Sequence, residues 1–175
     1  YEPLLRAILN SPVPTVTALN GAAAGAGANL ALAADIVIAK SSAYFVQAFS
    51  RIGLIPDVGG TYFLPRAMGL AKAIGSSMFA DKIMAAEAHE IGLIYEYVED
   101  DNYDIHLKSR VEYLANGPTV AFAGIKTAMR KSLNNSLDEQ LELEAKLQKK
   151  CGNTRDFQEG VLAFHEKRDA KFEGR

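Results

Sequence analysis

The sequence predicts an α/β domain followed by an all-helical region, and two observations support this. An apolar, β-branched run at 13–19 leads into a glycine-rich turn at 20–29, an Ala/Leu segment of helical composition and a second apolar run at 36–39. A strand, a turn, a helix and a strand in close succession are typical of α/β proteins. The composition then changes after residue 100, where segments of helical periodicity follow one another. We therefore expect an α/β domain over 1–100 and a helical region over 101–175.

The remaining elements follow from local periodicity and turn signals. Further strands are predicted at 44–46 and 94–98. The segments with helical periodicity are 3–10, 61–68, 70–80, 85–90, 103–115, 118–133, 137–150 and 155–168. Gly92 is a typical residue to end the helix before it. Ser136 and Glu139 form a Ser-x-x-Glu capping box, which predicts that the helix at 137–150 begins there.

Composition excludes several classes of protein. The formal net charge of −2 lacks the basic excess of a nucleic-acid-binding protein. No apolar run approaches the roughly 18 residues of a membrane span. The single cysteine, Cys151, excludes an internal disulfide framework and predicts a reducing, cytoplasmic location. The histidines, His89, His106 and His165, are scattered over helical segments, so no metal site is predicted.

The glycine-rich turn at 20–29 is the first candidate site. It leaves backbone N–H groups bare at a helix N-terminus, where the helix dipole favours negative charge. Such a turn suits a phosphate or a developing oxyanion. Gly25 and Gly27 supply part of a dinucleotide-binding motif, but its third glycine falls at Leu30, and residues 45–49 lack the acidic residue that the motif requires. A dinucleotide is therefore disfavoured.

Asp57 is the second candidate, within a Gly/Pro-rich loop that opens a helix, and two interpretations stay open. Aspartate is a favoured N-cap residue, so Asp57 is one candidate for the start of that helix. The second interpretation rests on its apolar neighbours, which are Ile52, Leu54, Ile55, Val58 and Phe63. A carboxyl group in an apolar pocket has its charged form disfavoured, which prepares it to accept a proton near neutral pH.

Three segments together carry a family resemblance. They are Asn20-Gly21-x3-Gly25-Ala26-Gly27-Ala28-x-Leu30-Ala31-x3-Asp35, Phe45-x3-Phe49-Ser50-x-Ile52-Gly53-Leu54-Ile55-Pro56-Asp57-x-Gly59-Gly60-Thr61, and Gly160-Val161-x-Ala163-Phe164-x-Glu166-Lys167-Arg168. This pattern resembles the crotonase superfamily (enoyl-CoA hydratase/isomerase) over essentially the whole chain. The resemblance implies a spiral of strand–strand–helix units and a helical C-terminal trimerisation region. It also implies an N-terminal portion that supplies half of the acyl-CoA site, and we expect such residues before Tyr1.

The same resemblance implies how the site works. The Ala26 N–H is one of two oxyanion donors, and the other lies in the N-terminal portion. An α-proton of a thioester is only weakly acidic, so donors placed where the enolate charge develops lower the barrier, each by about 3 kcal/mol. Family isomerases carry their proton-shuttling acid at the position of Asp57. The two glutamates of the hydratases correspond to Asn29 and Phe49, which disfavours plain hydration.

Further contacts with substrate are implied at several positions. The substrate-binding residues are Gly25, Gly27, Asn29, Phe49, Pro56, Gly59 and Tyr62, although Phe49 and Tyr62 are equally consistent with core aromatic residues. Lys167, beside Arg168, is implied to contact the CoA phosphates, and a solvated charge pair is the equal alternative. The expected substrate is an acyl-CoA thioester, with no cofactor and no metal. The expected assembly is a homotrimer or a hexamer of two trimers, without nucleic-acid or membrane partners.

The predicted activity is that of an acyl-CoA isomerase. Residues 48–57 and 137–144 resemble family isomerases of phenylacetate breakdown, so a ring-epoxide or unsaturated acyl-CoA is the expected substrate. Three alternatives stay open: hydratase-like chemistry, an aryl-CoA dehalogenase that uses Asp57 as nucleophile, and an inactive remnant that lacks one oxyanion donor.

Overall fold

The computed structural model describes all of residues 1–175 in six strands and nine α-helices. The strands are β1 (Val16–Leu19), β2 (Ala22–Ala24), β3 (Ile36–Lys40), β4 (Tyr44–Val46), β5 (Lys82–Met84) and β6 (Glu96–Val98). The helices are α1 (Glu2–Leu9), α2 (Ala26–Ala31), α3 (Gly60–Met68), α4 (Leu70–Phe79), α5 (Ala85–Glu90), α6 (Tyr103–Ala115), α7 (Thr119–Ser132), α8 (Leu137–Gly152) and α9 (Arg155–Glu166).

The strands form two three-stranded sheets, and neighbouring strands in sequence alternate between them. One sheet has the order β1-β3-β6 and is parallel, with Val16 opposite Ile36 and Ile38 opposite Glu96. The other has the order β2-β4-β5, in which β2 and β4 are parallel and β5 is antiparallel. Strands β1 and β2 are followed by α2, and β3 and β4 by α3, so strand–strand–helix units follow one another along the chain.

The chain divides into two compact units, of which the first comprises Tyr1–Ser11 and Thr15–Lys108. Its core cluster contains residues from both sheets and from helices α2, α3, α4 and α5. The largest side chain in this core cluster is Phe45, and seven of its fourteen buried residues are alanines. Ala28, Ala39 and Ala85 are fully buried. This unit contains both candidate sites of the sequence, the glycine-rich turn and the Asp57 loop.

The second unit comprises Pro12–Pro14 and Ser109–Arg175 and is helical. Helix α8 begins with the predicted capping box, since Ser136 Oγ accepts the Glu139 N–H and the Glu139 carboxylate accepts the Ser136 N–H. Helix α9 begins at a Thr154 N-cap that accepts the Phe157 N–H. The capping prediction is therefore confirmed.

The predicted helices are all present, with ends that differ from the prediction by a few residues at most. Two short strands, β2 and β5, are not predicted by the sequence, and neither is the 3-10 helix Ala48–Ile52 at the start of the Asp57 loop. The predicted strand at 94–98 is shorter, because only Glu96–Val98 pairs with β3. None of the helices combines the length and the apolar character that crossing a bilayer requires.

Candidate active site

The glycine-rich turn leaves the backbone N–H of Ala26 at the start of a helix without a partner. Gly25 adopts a φ of +54°, which a residue with a side chain rarely tolerates, and its own N–H donates to Val46 O at 2.9 Å. Ala26 is the first residue of α2 and has no acceptor within the helix. No other group accepts its N–H. Gly27 is exposed, with open space where a Cβ would stand. The predicted oxyanion donor, Ala26, is therefore unoccupied by protein groups.

Phe49 lies behind this turn. A Cβ on Gly25 would stand 3.7 Å from two atoms of the Phe49 ring, and the ring is buried. The aromatic side chain therefore backs the turn at the position that the family resemblance assigns to a hydratase glutamate. Its contact with substrate stays a prediction.

Asn29 occupies a different place from the one that the sequence predicts. The sequence predicts that Asn29 contacts substrate, but its side chain is 0% exposed and presents no atom to one. Nδ2 donates to Asp57 O at 2.8 Å, and Oδ1 accepts from Gln47 Nε2 at 2.9 Å. A polar side chain in an apolar interior needs such partners, because each buried donor or acceptor without one lowers the stability of the fold by about 1–3 kcal/mol. The substrate-binding assignment of Asn29 is corrected to a structural contact between α2 and the Asp57 loop.

Asp57 sits in a strained turn just before α3. Val58 has a φ of +49°, which is an outlier for a β-branched residue, and Gly59 follows at +79°. Such backbone costs on the order of 1–3 kcal/mol and persists only where its surroundings fix it. The helix begins at Gly60 with Gly59 as its N-cap, and no side chain caps it. The interpretation of Asp57 as the N-cap residue is therefore wrong.

The prediction that Asp57 lies in an apolar pocket is also wrong for this chain. The Asp57 side chain is exposed and its carboxylate makes no hydrogen bond or ion pair. Of its apolar neighbours, Val58 is buried, whereas Ile55 is 75% exposed and Ile52 and Leu54 are exposed as well. The site thus presents a free carboxylate within an exposed apolar loop.

The other residues predicted in this region lie on or near the surface. Pro56 is half-buried, and Gly59 carries no Cβ because one would stand 2.7 Å from the Phe63 ring. Tyr62 is exposed and makes an edge contact with Phe63, while the Arg66 guanidinium lies 3.7 Å from its ring centre. Tyr62 is therefore not a core aromatic residue, and its role in the acyl pocket stays a prediction.

In the helical unit, the predicted pair Lys167 and Arg168 divides into one free and one engaged cation. Lys167 ends α9 in a left-handed conformation and is exposed. Arg168 donates to both carboxylate oxygens of Glu159, at 2.6 and 3.0 Å, and to Glu166 at 2.6 Å. The Arg168 hydrogen bond lowers the pKa of Glu159 to about 2. The contact of Lys167 with CoA phosphates stays a prediction, whereas Arg168 already has partners.

No group of three or more His, Cys, Asp and Glu side chains stands close enough to hold a metal ion. Asp35, which closes the glycine-rich motif, has a structural role. Its Oδ2 accepts from Thr15 N and from Thr15 Oγ1, both at 2.8 Å, and so joins the residue before β1 to the residue before β3. The candidate groups of the turn and the loop are the bare Ala26 N–H and the exposed Asp57 carboxylate.

Comparison with known proteins decides the family. The model of the enoyl-CoA hydratase/isomerase family matches residues 1–175. The chain belongs to this family. Its crotonase fold agrees with that of a solved enoyl-CoA hydratase from Polaromonas sp. JS666, with a TM-score of 0.92 at 32% identity over 98% of this chain and 68% of that one. The predicted family and fold class are confirmed.

Two curated relatives of this chain bear different activities in their names. A "Probable enoyl-CoA hydratase" of Rhodobacter capsulatus is 57% identical over 100% of this chain and 68% of its own length. The 1,2-epoxyphenylacetyl-CoA isomerase of Escherichia coli K12 is 45% identical over 100% of this chain and 67% of its own length. This chain therefore spans about two thirds of these relatives, whose names divide between hydration and isomerisation.

Proposed function

We propose that the protein is an acyl-CoA isomerase in which Asp57 moves a proton along the acyl chain. One observation carries the proposal. Residues 20–34 contain the glycine-rich turn and α2, and residues 44–63 contain β4, Phe49 and the Asp57 loop. Asp57 is the sole carboxylic side chain in these two segments. It lies next to α2, because Asn29 reaches its carbonyl oxygen directly. One acid suits proton transfer between two carbons, whereas the hydratases of the family use two.

The proposed reaction on an unsaturated thioester has two proton transfers. Asp57 takes a proton from the α-carbon, and the C–H electron pair moves into the thioester to give an enolate oxygen. The Ala26 N–H donates to that oxygen while the charge is present. Asp57 then returns the proton to the γ-carbon, the carbonyl re-forms, and the double bond moves into conjugation. No atom is gained or lost, and a positioned acid–base group of this kind contributes about 10²–10⁴-fold in rate.

The substrate we propose is an acyl-CoA with an unsaturated or ring-epoxide acyl group. The 45% identical relative acts, by its name, on epoxyphenylacetyl-CoA. The exposed apolar side chains of the Asp57 loop, Ile52, Leu54 and Ile55, suit an acyl group of this kind. We further propose that Lys167, exposed and without an ion pair, meets a CoA phosphate, and that no other cofactor takes part.

We also propose that the protein assembles as a homotrimer or a pair of trimers. Helix α7 carries Ile125 and Met129 one turn apart, both exposed, and Leu133 follows at the same spacing. Such an exposed apolar stripe is typical of an interaction surface. Light scattering of the protein in solution measures the copy number, and a monomer at all concentrations contradicts this part of the proposal.

Product analysis with a panel of thioesters tests the activity. The panel contains trans-3-hexenoyl-CoA, trans-2-hexenoyl-CoA, ring-epoxide phenylacetyl-CoA and 4-chlorobenzoyl-CoA. We expect rearranged products from the first or the third, and deuterium from the solvent at the α- or γ-carbon. A 3-hydroxyacyl product from the second would instead favour the hydratase named for the 57% identical relative. Chloride release from the fourth would favour Asp57 as a nucleophile.

The variant Asp57→Asn tests the role of the carboxylate, with Asp81→Asn as a matched control at another exposed aspartate of the same unit. We expect Asp57→Asn to lower isomerase turnover by about 10²–10⁴-fold and Asp81→Asn to retain it. Full turnover in Asp57→Asn contradicts the proposed mechanism.

A further inference from the structure

We propose that Asn29 is the positioning residue for Asp57, an inference that rests on the proposed function. The sequence assigns Asn29 to substrate binding, and the proposed proton transfer does not use it. It nevertheless spans two elements, since its amide on α2 joins Gln47, after β4, to the main chain of Asp57. Asn29 would thus set where the proton-carrying carboxylate stands without touching the substrate.

The direction of the amide chain is fixed by its two ends. Because Asp57 O can only accept, the atom of Asn29 that faces it must be Nδ2. Asn29 Oδ1 must then accept, so Gln47 donates through Nε2. Gln47 is itself 3% exposed, and its Oε1 has no hydrogen-bond partner. A buried acceptor without a partner is unfavourable, so Gln47 is held in this orientation at a cost that the contact with Asn29 offsets.

The Asp57 carbonyl is held from two sides. It accepts from Asn29 Nδ2 at 2.8 Å and from the Gly60 N–H at 2.8 Å. A Cβ on Gly60 would collide with the Asn29 side-chain amide, so Asn29 fills the space beside the first residue of α3. The peptide group after Asp57 therefore has little freedom to rotate, and the strained φ of +49° at Val58 follows directly after it.

The Asp57 side chain has no anchor of its own. Its carboxylate is exposed and makes no hydrogen bond or ion pair, so only the main chain determines where it stands. A strained turn relaxes when its surroundings no longer fix it. Loss of the Asn29 contact would move the carboxylate, and a displacement of about 1 Å in a catalytic group can cost about 10²-fold in rate.

Three variants of the intact protein test this with trans-3-hexenoyl-CoA as the probe: Asn29→Ala, Asp57→Asn and the double variant. We expect Asn29→Ala to lower kcat by about 10- to 100-fold with KM within about threefold, because the binding surfaces stay in place. The double variant should be no slower than Asp57→Asn, because Asn29 acts only through that carboxylate. A merely structural residue would reduce the turnover of the double variant further.

Asn116→Ala is the matched control, since exposed Asn116, just after α6, also donates through Nδ2 to a backbone carbonyl, Glu112 O, at 2.8 Å. We expect its kcat to equal that of the unmodified protein. Should Asn29→Ala fail to fold, Gln47→Met replaces it, because this isosteric change removes the orienting donor together with the unpartnered acceptor. We expect a smaller loss of kcat there, of about threefold or more.

Each result has one meaning. Unchanged kcat in the folded variant, with Asp57→Asn inactive, overturns the positioning role and leaves the proposed function intact. Additive losses in the double variant overturn it as well. Full turnover in Asp57→Asn overturns the proposed function itself, and the positioning role of Asn29 with it.

Discussion

Asp57 and Asp156 both stand at the start of a helix, in different units of the molecule, and their surroundings are opposite. Asp57 precedes α3, is exposed, and makes no hydrogen bond through its carboxylate. Asp156 lies in the first turn of α9, is 3% exposed, and accepts the N–H groups of Glu173 at 2.7 Å and Gly174 at 3.0 Å. The acid of the helical unit thus holds the C-terminal segment in place, whereas the acid of the α/β unit is itself held by its main chain.

The difference separates two uses of one residue type. A buried carboxylate that accepts an N–H donor at each oxygen stabilises the fold and is closed off from a substrate. A carboxylate without partners adds nothing to the fold and is available for proton transfer. Burial and hydrogen bonding, rather than position relative to a helix, therefore predict which aspartate acts in chemistry and which in structure.

The largest expected effect is on turnover in Asp57→Asn. We expect kcat to fall by about 10²–10⁴-fold, because the amide cannot accept the α-proton. The midpoint of thermal unfolding should change by no more than about 2 °C, since no contact of the carboxylate is lost. Steady-state kinetics and circular dichroism on the same preparation measure both quantities. A large loss of thermal stability would show that Asp57 has a structural partner.

The reverse pattern is expected for Asp156→Asn. The amide keeps one acceptor oxygen but turns an N–H toward a backbone donor, so the free energy of unfolding should fall by about 1.5–3 kcal/mol. Urea unfolding followed by circular dichroism measures this change. Asp138→Asn, in the exposed first turn of α8, is the control and should change the unfolding free energy by less than about 1 kcal/mol. Equal effects in the two variants would contradict the role given to burial.

Much of the fold could be predicted from the sequence, because its longer elements have local signals. The capping box at Ser136 and the division of α3 from α4 at Gly69 depend on residues close in the chain. Strands β2 and β5 have no such signal. Each is three residues long and exists by pairing with β4, and the Ala-Ala-Ala run of β2 has no β-propensity of its own. Their formation depends on partners distant in sequence.

The candidate site was predicted in part. The bare N–H of Ala26 follows from the glycine-rich turn, but the apolar pocket of Asp57 does not form in this chain, because Ile52, Leu54 and Ile55 face outward. Apolar neighbours in sequence do not determine which side chain they surround. The burial of Asn29 has a signal that could have found it. A single amide within the apolar run from Ala28 to Leu32 predicts a buried polar group, which must then have partners.

Tyr103→Phe tests a buried polar group with a single partner. The Tyr103 hydroxyl donates to Ile38 O at 3.1 Å, and burial raises the pKa of Tyr103 to about 12. The unfolded chain loses this proton near pH 10, before the folded one does, so stability should fall as the pH rises from about 10 to about 12. In Tyr103→Phe the free energy of unfolding should be lower by about 1 kcal/mol at neutral pH. The part of its fall between about pH 10 and 12 that Tyr103 causes should be absent. Urea unfolding at several pH values measures it, with exposed Tyr113→Phe as the control.

The smallest expected effect is at an exposed group that does have partners, the capping box of α8. Hydrogen bonds from Ser136 lower the pKa of Glu139, and the Ser136 hydroxyl accepts the Glu139 N–H. Ser136→Ala should lower the free energy of unfolding by about 1 kcal/mol, whereas Ser109→Ala, inside exposed helix α6, should leave it unchanged or raise it slightly. If Ser136→Ala instead matches Asp156→Asn in urea unfolding, hydrogen bonding alone sets the contribution of a polar group. If Ser136→Ala leaves the free energy of unfolding unchanged, burial alone sets the contribution of a polar group to stability. The exposure of Asp57 is then sufficient to leave its carboxylate available for chemistry.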